Sequence, residues 1–199
     1  MNSRIPGFRG EYLWELDIAR NQLLKLAEAV PAEKYGWRPA DDARSFSEVL
    51  IHVAAGNFLL LRLVGVSALG DVDLYGPLGG DRLAQFAAAV RKNILLEKTI
   101  VEKPPVIDLL RRSLDAVRQS CIESGDEEIE RTGQFFGEQT TVRRVYLRML
   151  AHVHEHMGQA VAYARFNGIG VPWPDPLKEL KRMTAEAGSR DGTPPKVPA

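Results

Sequence analysis

TVRRVYLRMLAHVHEHMGQAVAYARFNG, residues 141–168, carries a helix start, an inward face and a helix stop in one run. Thr141, or Thr140 before it, can cap the first turn with its hydroxyl, and Gly168 stands where a left-handed C-terminal cap is wanted. A step of four residues in a helix turns about 40° past a full turn, so His152 and His156 share one face. Val145, Met149, Gln159 and Tyr163 lie on that face too, which directs the pair toward an interior. His154, about 200° round from His152, points away.

Working outward, three more segments carry a helical period, and no segment carries a convincing strand alternation. The first runs from about Tyr12 to Val30, with Leu13, Leu16, Leu23, Leu24, Leu26 and Ala27 on its stripe, and Pro31 stops it. The second opens at Ser45-Phe46-Ser47-Glu48, a capping box, and continues through Val49, Val53, Leu59, Leu60 and Leu63 to Gly65. The third follows Pro104-Pro105 and runs to about Glu123 with Ile107, Leu110, Leu114, Val117 and Cys121 inward; proline suits its first turn.

Residues 35–44 form a loop with one large aromatic, Trp37. The long connection 66–104 is Gly-rich near 76–80, and within it Asp81 to Lys92 reads as a further helix. Residues 125–138 read as an acidic turn region. Beyond Pro174 a short helix is expected over 177–184, and the polar, Pro-rich residues 188–199 read as disordered. Four principal helices with alternating short and long connections predict an all-α fold, a four-helix bundle with long crossover connections. Residues 1–173 form the bundle and 174–199 an extension.

On the second helix His52 shares a stripe with Val49, Gly56, Leu59 and Leu63, and Gly56 leaves room beside it. Three of the four histidines, His52, His152 and His156, therefore face one interior from two helices. Buried separately, each would need its own hydrogen-bond partners. Gathered on one ion, they act as neutral imidazole ligands, the commonest protein metal donors. The metal reading is preferred to isolated core histidines.

Competing motifs fail on the same residues. A zincin H-E-x-x-H would need histidine where Gly158 stands. An H-x-H pair of His152 and His154 requires a strand. A di-iron bundle requires Glu-x-x-His, which the chain lacks. There is no Gly-rich phosphate loop and no G-x-S-x-G elbow.

Composition sets the boundaries. The 199 residues hold 26 Lys and Arg against 26 Asp and Glu, so the net charge of zero leaves no electrostatic footprint for nucleic acid or a membrane surface. One cysteine, Cys121, forms no internal disulfide, and the first residues lack the apolar core of a signal peptide; a cytoplasmic location is expected. The longest apolar stretch, residues 58–69, is broken by Arg62 and Gly65, short of the roughly 20 residues that span a bilayer.

Three segments resemble the DinB-like (DinB/YfiT) family of four-helix-bundle metalloenzymes. They are Glu33-Lys34-Tyr35-Gly36-Trp37-Arg38-Pro39, Ser45 through Ala54 with His52, and His152-Val153-His154-Glu155-His156-Met157-Gly158-Gln159, which is similar to H-x-x-x-H-x-G-Q. The resemblance spans about residues 9–171. It implies that His52, His152 and His156 ligate a divalent transition ion such as zinc, nickel or iron, and that the protein pairs as a homodimer. Met157 departs from the arginine frequent in the family, which removes an anion contact but not the ligand set. Relatives include thiol S-transferases that join low-molecular-weight thiols to electrophiles, and a thiol-dependent isomerase; others are described as hydrolases or damage-inducible proteins.

Three histidines leave an open position on an ion, the mark of a catalytic rather than a closed structural site. It can activate water for hydrolysis or a thiol for transfer. The resemblance inclines to thiol transfer with a small-molecule substrate. The alternative is a non-catalytic metal-binding, stress-related dimeric interaction protein in which the ion is a staple. Glu48 has two readings, orienting His52 or closing its capping box, and the second is preferred. Glu155 reads as solvated, Gln159 and Tyr163 as pocket lining or core, Trp37 as a cover for the bundle end, Arg38 as surface and Cys121 as core. No catalytic acid or base stands out.

Overall fold

The computed structural model describes residues 5–65, 74–75, 79–135, 137–174 and 179–184. Its helices are α1 (Gly7–Ala29), α2 (Phe46–Leu63), α3 (Arg82–Thr99), α4 (Lys103–Glu123), α5 (Asp126–Glu130) and α6 (Val142–Phe166), with a hairpin of β1 (Thr132–Phe135) and β2 (Glu138–Thr141). Contacts run in a closed ring, α1 against α4 and α6, and α2 against α4 and α6. These four helices are the expected bundle and the fold is all-α. The fifth long helix, α3, packs outside the ring on α2.

Local chemistry sets the helix ends. Ser45 Oγ accepts from the Glu48 amide while Glu48 Oε2 accepts from the Ser45 amide, completing the capping box. Thr141 Oγ1 accepts from the Arg144 amide at the start of α6. Past its other end, Gly168 adopts φ +72°, and the amides of Gly168 and Ile169 bond back to Arg165 and Ala164. Pro104 and Pro105 lie in the first turn of α4, where no helical N–H is lost.

The core is continuous. Leu16, Leu23 and Leu26 of α1 meet Leu50, Ile51 and Leu61 of α2, Leu110 and Leu114 of α4, and Tyr146 and Met149 of α6, all essentially inaccessible. Cys121 is buried among them, and burial pushes its thiol up to about 11, so it is core rather than nucleophile. By composition α2 is long and apolar enough to cross a membrane, but most of it is buried inside the protein, as a core helix is.

Three expectations need correction. Residues 132–141, expected as the end of the turn region 125–138 and the start of the last helix near Thr140 or Thr141, form an antiparallel hairpin in which Thr132 pairs with Thr141 and Phe135 with Glu138. Its turn uses Gly137 at φ +81°, and only Phe135 among its strand residues is buried, so no apolar alternation announced it. Helix α3 runs to Thr99 rather than stopping near Lys92; Asp81 caps it, with Oδ1 accepting from the Ala84 amide. The acidic run 126–130 is helical. Residues 179–184 are helical, within the short helix expected there; the expected disorder of 188–199 lies outside the described residues.

The loop between α1 and α2 is pinned at the bundle end. The Phe46 and Ser47 amides donate to the carbonyls of Trp37 and Tyr35, and Tyr35 Oη donates to Ala27 O. Trp37 thereby stacks on Phe166, with centroids 6.2 Å apart, and meets Tyr163 edge-on at 5.3 Å. It covers the end of α6 as expected.

Candidate metal centre

Helix α2 brings His52, and α6 brings His152 and His156, to one point where the two helices pack. Ring centroids are 4.9 Å apart for His52 and His152, 4.6 Å for His52 and His156, and 4.6 Å for His152 and His156. One nitrogen from each ring lies within 4.8 Å of the others. His154 is exposed on the far side of α6.

The approach of α6 to α2 depends on Gly56. A methyl group added there would sit 2.6 Å from His152 Cε1 and 3.1 Å from Nδ1, closer than van der Waals contact permits. The room expected at this glycine exists, and the ring that uses it is His152.

Outer partners fix how the rings present their nitrogens. His52 Nδ1 lies 2.8 Å from Glu97 Oε1. Burial disfavours the Glu97 charge, but hydrogen bonds from His52 and Arg44 outweigh it and hold the carboxyl below its ordinary range. An ionised carboxylate only accepts, so His52 Nδ1–H is the donor, and in the neutral ring Nε2 then carries the lone pair. His152 Nε2 stands 3.1 Å from that lone pair and must donate to it. His152 Nδ1 is then bare, and it finds no hydrogen-bond partner among the described residues. His156 Nδ1 lies 2.9 Å from Gln159 Oε1, whose amide donates in turn to Tyr163 Oη at 2.8 Å.

Burial, followed by the other two imidazoles, drives the His152 pKa down to about 3. Burial lowers His156 as well, against the opposing effect of its hydrogen bond to Gln159 Oε1. Near neutral pH both rings are uncharged, the form in which imidazole ligates a metal.

Not every candidate reaches the cluster. Glu48 gives its oxygens to Lys98 Nζ at 2.8 Å, Arg38 Nη2 at 3.1 Å and the Ser45 amide, so it closes the cap and does not orient His52. Arg38 is thus a half-exposed ion-pair partner. Glu155 is exposed and paired with Arg148. Gln159 and Tyr163 are joined to the site through His156.

Two residues escaped the sequence reading. Glu97 stands at the end of α3, and Arg44, in the loop before α2, holds it with Nε 2.7 Å from Oε2. The available signal was weak: Ala89, Asn93 and Glu97 recur at steps of four and form the buried side of α3. Asn93 is used by Tyr75, whose hydroxyl donates to its Oδ1 at 2.8 Å, which leaves Glu97 to face His52.

The comparisons with known proteins agree with this architecture. Residues 15–160 match the model of the DinB superfamily, and the chain belongs to that superfamily. A DinB-like protein from Bacillus cereus ATCC 10987 superposes with a TM-score of 0.63 at 16% identity, covering 84% of this chain and 97% of its own. A DinB-like protein from Bacillus subtilis superposes at 0.51, also at 16% identity, covering 82% and 96%. No curated protein matches the chain.

Proposed function

We propose that this DinB-superfamily chain binds one divalent transition ion, zinc, nickel or iron, through His52, His152 and His156, and is a metal-dependent enzyme. The observation that carries the reading is the convergence of three imidazole donors on one point from two helices, with His152 and His156 kept uncharged near neutral pH by burial. The residues fit such an ion: His52 already presents a bare Nε2, His156 is held by its outer partner, and a Cβ at position 56 would fill the space His152 occupies.

Bound there, the ion would supply Lewis acidity in the position that three ligands leave open, enough to activate a thiol or a water molecule. The chain's own residues orient the donors. Glu97 holds the His52 proton at Nδ1, Gln159 holds that of His156 at Nδ1, and His152 would carry its proton on Nδ1 once Nε2 is engaged. The His52 side chain is 25% exposed, so the cluster lies near the protein surface rather than deep in the core. Transfer of a low-molecular-weight thiol to an electrophile is the first reaction to assay, with hydrolysis second. The inclination to thiol transfer comes from family resemblance.

Metal content by plasma mass spectrometry, on protein purified without a polyhistidine tag, tests the reading. About one equivalent of zinc, nickel or iron is expected in wild type, with loss of metal in a folded His152→Ala/His156→Ala variant. Wild type that stays empty after incubation with all three ions would defeat it. Unfolding on chelation would instead identify the ion as a staple, as a non-catalytic interaction protein requires.

A further inference from the structure

The geometry points to a role for α3 that neither its sequence nor its place outside the helical ring announces. We infer that Glu97 is the positioning residue of the histidine cluster, fixing the His52 ring so that the lone pair of Nε2, rather than Cε1–H, faces His152, with Arg44 holding Glu97 in turn. The inference rests on the metal reading for its consequence, but not for its geometry.

Three imidazoles meet at the site and each is held differently. His156 is held by Gln159, from its own helix, through the amide that also reaches Tyr163. His152 is held by packing against Gly56. His52 is held by a carboxylate from another element, the nearly buried Glu97, whose side chain is 6% exposed. Without that acceptor an imidazole can turn about its Cβ–Cγ bond, which puts Cδ2 in the place of Nδ1 and Cε1 in the place of Nε2 and so swings the lone pair away. A carboxylate behind a ligating histidine prevents this and raises the basicity of the nitrogen in front.

Arg44 completes the device. Its Nε donates to Glu97 Oε2 at 2.7 Å and its Nη2 reaches Oε1 at 3.4 Å, so Oε2 is occupied and Oε1 is left aimed at His52. The guanidinium also balances the buried negative charge, so the carboxylate does not need a charged His52 to be stable there. A merely structural tether between α3 and α2 already exists one residue on, where Lys98 pairs with Glu48.

The test combines a measurement on the metal-free protein with a pair of variants. Long-range proton–nitrogen spectra of histidine-labelled wild type, without metal, should show His52 protonated at Nδ1 and bare at Nε2. Zinc affinity, read by competition with a chromogenic chelator, should weaken ten- to a hundredfold in Glu97→Gln. Glu48→Gln, an equally buried carboxylate on α2, should bind zinc within twofold of wild type, whatever it loses in urea midpoint. A His52 proton on Nε2, an unchanged Glu97→Gln affinity, or an equal loss in Glu48→Gln would each overturn the assignment. If wild type bound no zinc, the metal reading would fall while the spectra still decided whether Glu97 orients the ring.

Discussion

Two carboxylates, Glu48 and Glu97, lie about one helical turn apart along the same contact between α2 and α3. Both are nearly inaccessible, at 4% and 6% side-chain exposure, both are paired with arginine, and both are held below the ordinary carboxylate range. Burial and charge do not separate them. Their remaining partners do: Glu48 receives an ammonium and the first amide of a helix, whereas Glu97 receives an imidazole that faces two others. The first arrangement closes a helix end and the second aims a ligand. A buried ion pair therefore identifies a site only through what lies behind it.

Acid separates the two regions most strongly. His152 has a folded pKa near 3 against an ordinary 6.5, so below pH 6.5 the unfolded chain binds a proton that the folded chain refuses. Stability contributed by the neutral ring is complete above 6.5 and is lost as pH falls from there toward 3, at up to about 1.4 kcal/mol per pH unit. His156 adds to the same limb. Both carboxylates contribute above their unfolded pKa, near 4.5, and lose that contribution as pH falls through their lower folded values. Urea melts of metal-free protein should show destabilisation starting near pH 6.5, and His152→Ala/His156→Ala should delay it to the carboxylate range. An unchanged onset in the variant would contradict the assignment.

Glu48→Ala is the next largest effect. It removes half of a capping box and strands Arg38 and Lys98, both of which can return to water, so a loss of roughly 1–2 kcal/mol is expected. Urea unfolding measures it, and metal affinity should not move. Loss of metal binding along with stability would erase the distinction between the two carboxylates.

The legibility of this region in the sequence was uneven for physical reasons. Ser45, Thr141, Gly168 and the paired prolines state helix ends locally, because capping and φ requirements involve only neighbours. The three histidines were legible because α2 and α6 each place them on an inward stripe. Glu97 was not, since its partner is 45 residues away and its own helix breaks the amphipathic rule with Asn93 and Glu97 on the buried side. Arg44 lay in a loop, where no period exists to read. The hairpin 132–141 was missed because one buried residue, Phe135, makes no pattern.

Gly56→Ala sharpens the comparison from the other side of His152. Alanine suits a helix better than glycine by up to about 1 kcal/mol, but here its methyl must displace the ring. Near-wild-type stability with roughly tenfold weaker zinc binding is expected if the loss is about 1.4 kcal/mol. Unaltered affinity would mean that the ring position does not matter. The smallest effect is expected from Gln159→Leu, which removes a neutral acceptor on the same helix as His156. A neutral hydrogen bond contributes about 1 kcal/mol or less, so affinity should fall only a few fold, short of the effect of Glu97→Gln. An effect larger than that of Glu97→Gln, in the same chelator competition, would reverse the ranking of the two outer partners.

The most direct measurement of the central claim is the X-ray absorption spectrum of zinc-loaded protein. The account predicts a first shell with three imidazole nitrogens at about 2.0–2.1 Å, their outer ring atoms visible in the scattering, and loss of that signature in His152→Ala/His156→Ala. A shell of oxygen donors alone, or an imidazole signature that survives in the variant, would contradict it.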